Sequence, residues 1–400
     1  MRFSFVFDGL GYGGIERVGI DYCNELVRRG HEVTVVNLDT SRTEFVDQLL
    51  PDITYIEKDF RRGRAPERYC QLIKYGWWGR YLYPLVFMVL SIANKILSPL
   101  YRRKLPAVDV SIAFSGHFND LTFVANKYVE SHVSIGWMHG AISSYLLMSD
   151  GYINLYKKIR NLVCLVDEGN EEFFYANKHV NLTIRKIYNP IAIGNQSIDA
   201  AQVQQLREKY GSYLLMVARF SYPHKDQPTV IKALYALKHT YGLEPKLLFI
   251  GDGPDMNKSR RLAEGLGISS QVVFVGYKNN PLPYYAAASV VIHASVAGEG
   301  LPTAMLEAMS LGKPVVATDS KTGPREILGN NEYGLLCKIQ DANEMAAHVF
   351  ELLTDKEMYQ RYSTQAYERV KDFSVDGAID KLQLFAQALL EPTEIRTGER

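Results

Sequence analysis

The sequence predicts a two-domain α/β protein built on parallel sheets, and three observations carry that expectation. Its 400 residues are two to three times the length of an ordinary domain. Short β-branched or aromatic runs alternate with segments of helical period along the chain. The rhythm then begins afresh after Asn189-Pro190, a turn and hinge signal. The expected division is a first domain over 1–190 with an insert at 61–104, a second over 191–373, and a C-terminal helix over 374–400 crossing back to the first domain.

The elements follow in order. RFSFVF opens as a buried strand, and GLGYGG then feeds a helix with Ile15, Val18, Tyr22 and Leu26 on one face and Gly30 as its stop, before strand EVTVVNL. VDVSIAF, HVSIGWM and LVCLV read as further strands of this half. A polar helix, DAAQVQQLREKYG, leads into the second half, where YLLMVAR, KLLFIG, VVFVG, SVVIHAS and PVVATD are strands, each trailed by a helical or glycine-rich segment. From about Asp341 the chain reads as helical, and from Pro392 as a frayed end.

Composition excludes several classes. With 47% hydrophobic and 22% charged residues the chain is neither disordered nor fibrous, and a net charge of +1 argues against a nucleic-acid binder working through global charge. The four cysteines, at 23, 70, 164 and 337, lack disulfide or zinc spacing, which points to a reducing, cytoplasmic compartment. The first residues are too short an apolar run for a signal peptide. The longest uncharged apolar stretch, Tyr81 to Asn94, is broken early by Pro84 and falls short of the roughly 20 residues of a membrane span.

Three constellations carry chemistry. Gly9 to Gly14 fits G-x-G-x-x-G between a strand and a helix, with Asp39 after the next strand, as in a dinucleotide site. Close backbone approach and helix N–H groups suit any phosphate, however, and not only NAD. In GEGLPTAMLEAMSLGKPVVATD, Glu299 occupies a glycine-flanked loop, Pro302 stands at the first helical turn and Gly312 stops the helix. Glu307 lies eight residues on from Glu299, just over two helical turns, so the two acids frame a helix N-terminus able to hold an anion; alone they could equally be a surface residue and a cap. Arg219 and Lys225 fall just after the first strand of the second domain, at the carboxyl edge where Glu299 emerges. Beside that helix N-terminus they make a diphosphate clamp. His139, after HVSIGWM, is at a strand's carboxyl end, a setting the eight other histidines are expected to lack.

Arg219-x5-Lys225-Asp226, Gly251-Asp252-Gly253-Pro254, the Glu299-x7-Glu307 pair and Gly323-Pro324-Arg325-Glu326 resemble the C-terminal domain of family 4 (group 1) glycosyltransferases, and GYGGIERV with WMHG fits the N-terminal domain. The resemblance covers essentially the whole chain. It implies a GT-B fold, two Rossmann-like domains facing across a cleft, acting as a retaining transferase. Arg219 and Lys225 would then neutralise the donor diphosphate, Glu299 would hold the sugar hydroxyls and Glu307 the nucleotide ribose. Backbone N–H groups of Gly300 and Leu301 would touch phosphate or sugar, Gly13 and Gly14 would admit the diphosphate, and His139 would face the sugar from the acceptor side. Of these, Glu299, His139, Arg219 and Lys225 are the expected catalytic residues. UDP is the expected carrier. No D-x-D occurs, so no metal or other cofactor is expected.

Between residues 61 and 104 stand ten basic side chains against the single acid Glu67, interleaved with Tyr69, Tyr75, Trp77, Trp78, Tyr81, Tyr83 and Phe87. PLVFMVLSIANKILSP has Ser91, Asn94, Lys95 and Ser98 on one helical stripe. Interface-seeking aromatics with basic residues read as a membrane-docking face, suited to a lipid-linked glycan acceptor; the competing reading is a buried helix beside a solvated basic loop. The expected protein is a cytoplasmic enzyme, peripheral on the inner face of the cell membrane, in polysaccharide or lipopolysaccharide biosynthesis, with no nucleic-acid partner. An NAD-dependent oxidoreductase using the Gly9–Gly14 loop is the alternative from another class. A catalytically silent subunit is a third reading.

Overall fold

A computed structural model describes residues 1–60, 63–140, 149, 151–166, 181–191, 198–297, 299–321 and 323–391. Arg61, Arg62, Gly298 and the end from Pro392 lie outside the described residues. The chain forms two units, Met1–Pro190 with Val375–Arg400, and Ile191–Ser374.

The first unit is built on a seven-stranded parallel sheet. Its strands are β1 (Arg2–Phe7), β2 (Glu32–Asn37), β3 (Thr54–Glu57), β4 (Val108–Ala113), β5 (Ser131–Met138), β6 (Asn161–Cys164) and β7 (Thr183–Lys186), in the order β3-β2-β1-β4-β5-β6-β7. RFSFVF is buried from Phe3 to Phe7, Ser4 included, because both faces of β1 are covered. Phe3, Phe5 and Phe7 pack with Tyr22 of helix Gly14–Arg28, Trp137 and Phe385, while Val6 points to the opposite core with Phe60 and Phe123. The last helix, Val375–Leu390, puts Ile379, Leu382 and Phe385 into the first of these cores. Arg29 fastens it with pairs to Asp376 (2.7 Å) and Asp380 (2.5 Å).

The second unit carries β8 (Tyr213–Val217), β9 (Lys246–Ile250), β10 (Val272–Gly276), β11 (Val290–His293), β12 (Val315–Thr318) and β13 (Leu335–Cys337), all parallel in the order β10-β9-β8-β11-β12-β13. In each sheet the strand order reverses beside the first strand, between β1 and β4 and between β8 and β11. Those switch points are where open α/β sheets bind ligands.

Two expectations need correction, and three strands were not anticipated. The helix of the GEGLPTAM segment begins at Thr303, so Pro302 is its N-cap and not its first turn. Strands β3, β7 and β13 carry no long β-branched run, and pairing along the sheet, more than local propensity, makes them strands. Within the insert a 3-10 helix, Pro66–Tyr75, leads into one uninterrupted α-helix, Trp77–Arg102, of 26 residues, passing through Pro84 and Pro99. It is therefore long and apolar enough to span a bilayer by composition. One side is nevertheless held along its length, by the preceding segment of the insert and, at its end, by the domain. A Cβ on Gly79 would fall 1.9 Å from the Leu72 carbonyl, Asn94 Nδ2 donates to Arg64 O (2.8 Å), and Tyr101 is buried against Phe60 and Tyr128. All four cysteines are buried and unbridged.

Candidate functional site

At the switch point of the second sheet, the loops after β8, β9 and β11 are locked together by their backbones. Gly251 (φ +135°) and Gly253 (φ +154°) lie so close to the first loop that a Cβ would meet Ala218 O at 2.1 Å and Phe220 O at 2.3 Å. Phe220 N–H donates to Asp252 O (3.0 Å), and Val296 N–H to Pro223 O (3.0 Å). Asp226 closes the loop by capping helix Gln227–Tyr241 through Thr229 N (3.2 Å) and Thr229 Oγ1 (2.6 Å). The Gly-Pro-Arg-Glu turn supports the far side. Gly323 N–H donates to Glu299 O (3.0 Å), and Arg325 grips Asp319 with two nitrogens.

This frame brings Lys225 and Glu299 into direct contact: Lys225 Nζ donates to Glu299 Oε1 (2.5 Å) and Oε2 (2.6 Å). Both side chains are mostly buried, 21% and 13% exposed. His293, at the end of β11, places Nε2 3.6 Å from Glu299 Oε1. Burial resists a charge on Glu299, but His293 and Lys225 hold its carboxyl down at about 2. Burial, reinforced by Lys225, lowers His293 below the ordinary imidazole value, so at neutral pH Lys225 is the cation of the trio. An ammonium has three donors, and two point at Glu299.

The other second-domain residues take distinct places. Arg219 is exposed and, among the described residues, has no carboxylate partner, so its guanidinium is available to an anion. Leu301 is buried, Gly300 half-buried, and the Gly300 carbonyl lies where a Cβ on Gly323 would reach within 2.2 Å. Glu307, half-buried in helix Thr303–Ser310, faces Tyr285, whose hydroxyl is raised well above the ordinary phenol value by burial and by that carboxylate. The structure brings Glu299 and Lys225 together, and sets Glu307 against Tyr285.

In the first unit Gly13 is the N-cap of helix Gly14–Arg28. A Cβ on Gly13 would fall 2.1 Å from Glu16 Oε2, whereas Gly14 is open. Glu16 pairs with Arg42 (3.1 Å), and the Arg42 side chain lies over Gly9 and Gly11. The place expected for a diphosphate thus holds the protein's own carboxylate. His139 is nine-tenths buried, with Nε2 2.6 Å from Phe114 O. A carbonyl only accepts, so Nε2 bears the proton and Nδ1, which has no partner among the described residues, offers a lone pair. Burial holds this imidazole at about 4, neutral at physiological pH.

A cavity of about 610 Å³ opens at the switch point of the first sheet, lined by Asp8 after β1, His117 and Asn119 after β4, Arg42, Tyr75 and Tyr152. Asp8 accepts from Asn119 Nδ2 (2.7 Å) and lies 3.2 Å from His117 Nδ1. Burial works against a charged imidazole there, but Asp8 and Asp120 outweigh it and His117 is raised. Carboxylate, imidazole and guanidinium around aromatic rings suit a polyhydroxylated ligand.

Sequence reasoning missed His293, Glu16, Arg42 and the Asp8–His117 pair. His293 does have the setting denied to it: it ends a strand beside Glu299. The readable signal was its position in SVVIHAS, as the last polar residue before the acid's loop.

Two Rossmann-like parallel sheets with this loop cluster define the GT-B class of fold. Within it, residues 198–369, all in the second unit, match the family model of glycosyl transferases group 1. Among curated relatives, the chain is 36% identical over 131 residues to an exopolysaccharide phosphotransferase of Streptomyces coelicolor, covering 33% of this chain and 14% of that one. It is 29% identical over 236 residues to the N-acetylgalactosamine-N,N'-diacetylbacillosaminyl-diphospho-undecaprenol 4-alpha-N-acetylgalactosaminyltransferase of Campylobacter jejuni, covering 59% and 60%. The chain thus spans 60% or less of the length of these two relatives. Among solved structures, Anabaena HepE in complex with UDP and glucose aligns with TM-score 0.72 at 20% identity over 97% of this chain and all of HepE.

Proposed function

We propose that the chain is a retaining, metal-independent glycosyltransferase. It moves a sugar, of hexosyl or N-acetylhexosaminyl type, from a UDP-linked donor to a lipid-linked glycan acceptor in cell-surface polysaccharide or lipopolysaccharide assembly. It works as a peripheral enzyme on the cytoplasmic face of the cell membrane. The observation that carries this reading is the Lys225–Glu299 pair at the second switch point, with the Arg219 guanidinium uncommitted nearby. The UDP in the HepE structure and the undecaprenol carrier in the Campylobacter enzyme's name support the donor and acceptor classes.

In this reading Glu299, ionised and aimed by Lys225, accepts hydrogen bonds from sugar hydroxyls. The third Lys225 donor and the Arg219 guanidinium stabilise the charge that grows on the diphosphate as the anomeric bond breaks, without a metal. Glu307 meets the ribose, and Gly300 and Leu301 present backbone N–H groups. In the first unit the Asp8–His117 cavity takes the acceptor, and Gly13 and Gly14 admit the diphosphate once the Glu16 carboxylate moves aside. His139 offers Nδ1 as an acceptor to a sugar hydroxyl. Retention implies front-face attack, the leaving phosphate taking the acceptor proton.

Thermal-shift titration with UDP, GDP, ADP, dTDP and NADH, with and without chelator, tests this. A shift with UDP that survives chelation is expected. A shift requiring a divalent cation refutes metal independence, and a shift with NADH alone overturns the transferase reading in favour of the oxidoreductase.

A further inference from the structure

The helix Trp77–Arg102 has three sectors, and membrane docking uses only one of them. Gly79 and Asn94 are buried against the preceding segment of the insert, and Tyr101 against Phe60 and Tyr128. Trp77, Tyr81, Leu85, Ile92, Ile96 and Leu100 recur at three-to-four-residue multiples along another sector, and each is more than half exposed. Between these sectors runs a polar flank, Ser91, Lys95, Ser98 and Arg102, which walls a cavity of about 310 Å³ closed on the other side by Tyr128 and Lys158. Lys158 is held by the fully buried Glu67 at 2.9 Å. Among the described residues neither Lys95 nor Arg102 has a carboxylate partner. The cavity therefore has three cations, two of them uncompensated, with hydroxyl and phenol groups between them.

We propose that this cavity binds the phosphate of an anionic lipid headgroup. The inference rests on the membrane-surface reading above. With the apolar stripe in the acyl region, the polar flank sits at headgroup depth, where basic residues meet lipid phosphate. The guanidinium and the two ammonium groups match a phosphate in charge and in donors. The continuous apolar stripe beside the opening favours a phosphate attached to acyl chains over one free in solution. Arg103 and Lys104 lie past the end of the helix and line no part of the cavity.

The test is co-sedimentation of the full chain with phosphatidylcholine vesicles with and without phosphatidylglycerol, alongside thermal shift with inorganic phosphate. The wild type should prefer the anionic vesicles. Lys95→Gln/Arg102→Gln should weaken that binding by more than about a hundredfold, beyond the roughly thirtyfold that losing two surface charges costs at about 1 kcal/mol each. Arg103→Gln/Lys104→Gln, with the same charge change, should cost several-fold less, and transfer in detergent should be unaffected by either pair. Equal losses from the two pairs, or no preference for anionic vesicles, overturn the site. So does a phosphate-induced shift lost in Lys95→Gln/Arg102→Gln without any vesicle preference, which marks a soluble phosphate ligand. Wild-type protein that binds neither vesicle refutes the membrane reading itself, an outcome distinct from binding both vesicles alike.

Discussion

Replacing Lys225 by methionine keeps the length of the side chain and removes the charge that Glu299 answers. The structure sets the size of the effect. Glu299 lies at about 2 against an ordinary 4.5, a depression of two to three units, and both partners are at most about one-fifth exposed, so solvent screening is limited. At about 1.4 kcal/mol per unit the coupling is on the order of 3 kcal/mol. Part of it returns in the variant, because the ammonium that lowers His293 is gone and the imidazole can protonate beside the acid. Lys225→Met/His293→Gln should therefore show the full loss, and Lys225→Met alone a smaller one. The sign over pH follows from the direction of the shift. A depressed carboxyl contributes stability that is fully present above 4.5 and lost as pH falls through about 2, so the deficit of the double variant should be about 1 kcal/mol smaller at pH 4 than at pH 7. Urea unfolding of the second unit, followed at both pH values, reads this, and initial rates should fall about 10²–10³-fold, the cost of removing one preorganised donor. An unchanged stability at pH 7, a gap that widens toward pH 4, or an unaltered rate would refute the reasoning.

Two further outcomes test the supports of the site. Gly323→Ala places a methyl 2.2 Å from Gly300 O and must push the Glu299 loop outward; it should destabilise by about 1–3 kcal/mol and lower kcat/KM at least tenfold, measured by melting and initial rates. His139, held at about 4, stays neutral across roughly pH 5 to 8, so the activity ratio of wild type to His139→Gln should be flat over that range; a ratio that titrates with a midpoint near 6.5 shows an imidazole that changes charge.

The β-rich rhythm was legible wherever a strand is buried on both faces. RFSFVF and SVVIHAS each carry enough apolar residues for two cores, and the glycines at 30 and 312 mark helix ends with φ of +80° and +62°. TYIE and TIRK did not stand out, because β3 and β7 are sheet edges: their residues are half-buried or exposed, and their pairing partners decide their conformation. The insert helix was underestimated for a different reason. Pro84 reads as an interruption, yet with Gly79, Asn94 and Tyr101 held in place the helix runs on through it and through Pro99.

The candidate site divides in the same way. Lys225 and Glu299 could be paired on paper because both sit just beyond strands of one sheet, and strand adjacency alone brings such loops together. Glu16 could not be read as the group lying against Gly13, because G-x-G-x-x-G reports what the backbone permits and not what fills the space. What fills it depends on Arg42, 26 residues away, folding over the loop and holding the acid there. That arrangement carries a mechanistic consequence. An anion reaching the end of helix Gly14–Arg28 must displace a carboxylate already paired with a guanidinium, and in doing so it would inherit Arg42 as its partner.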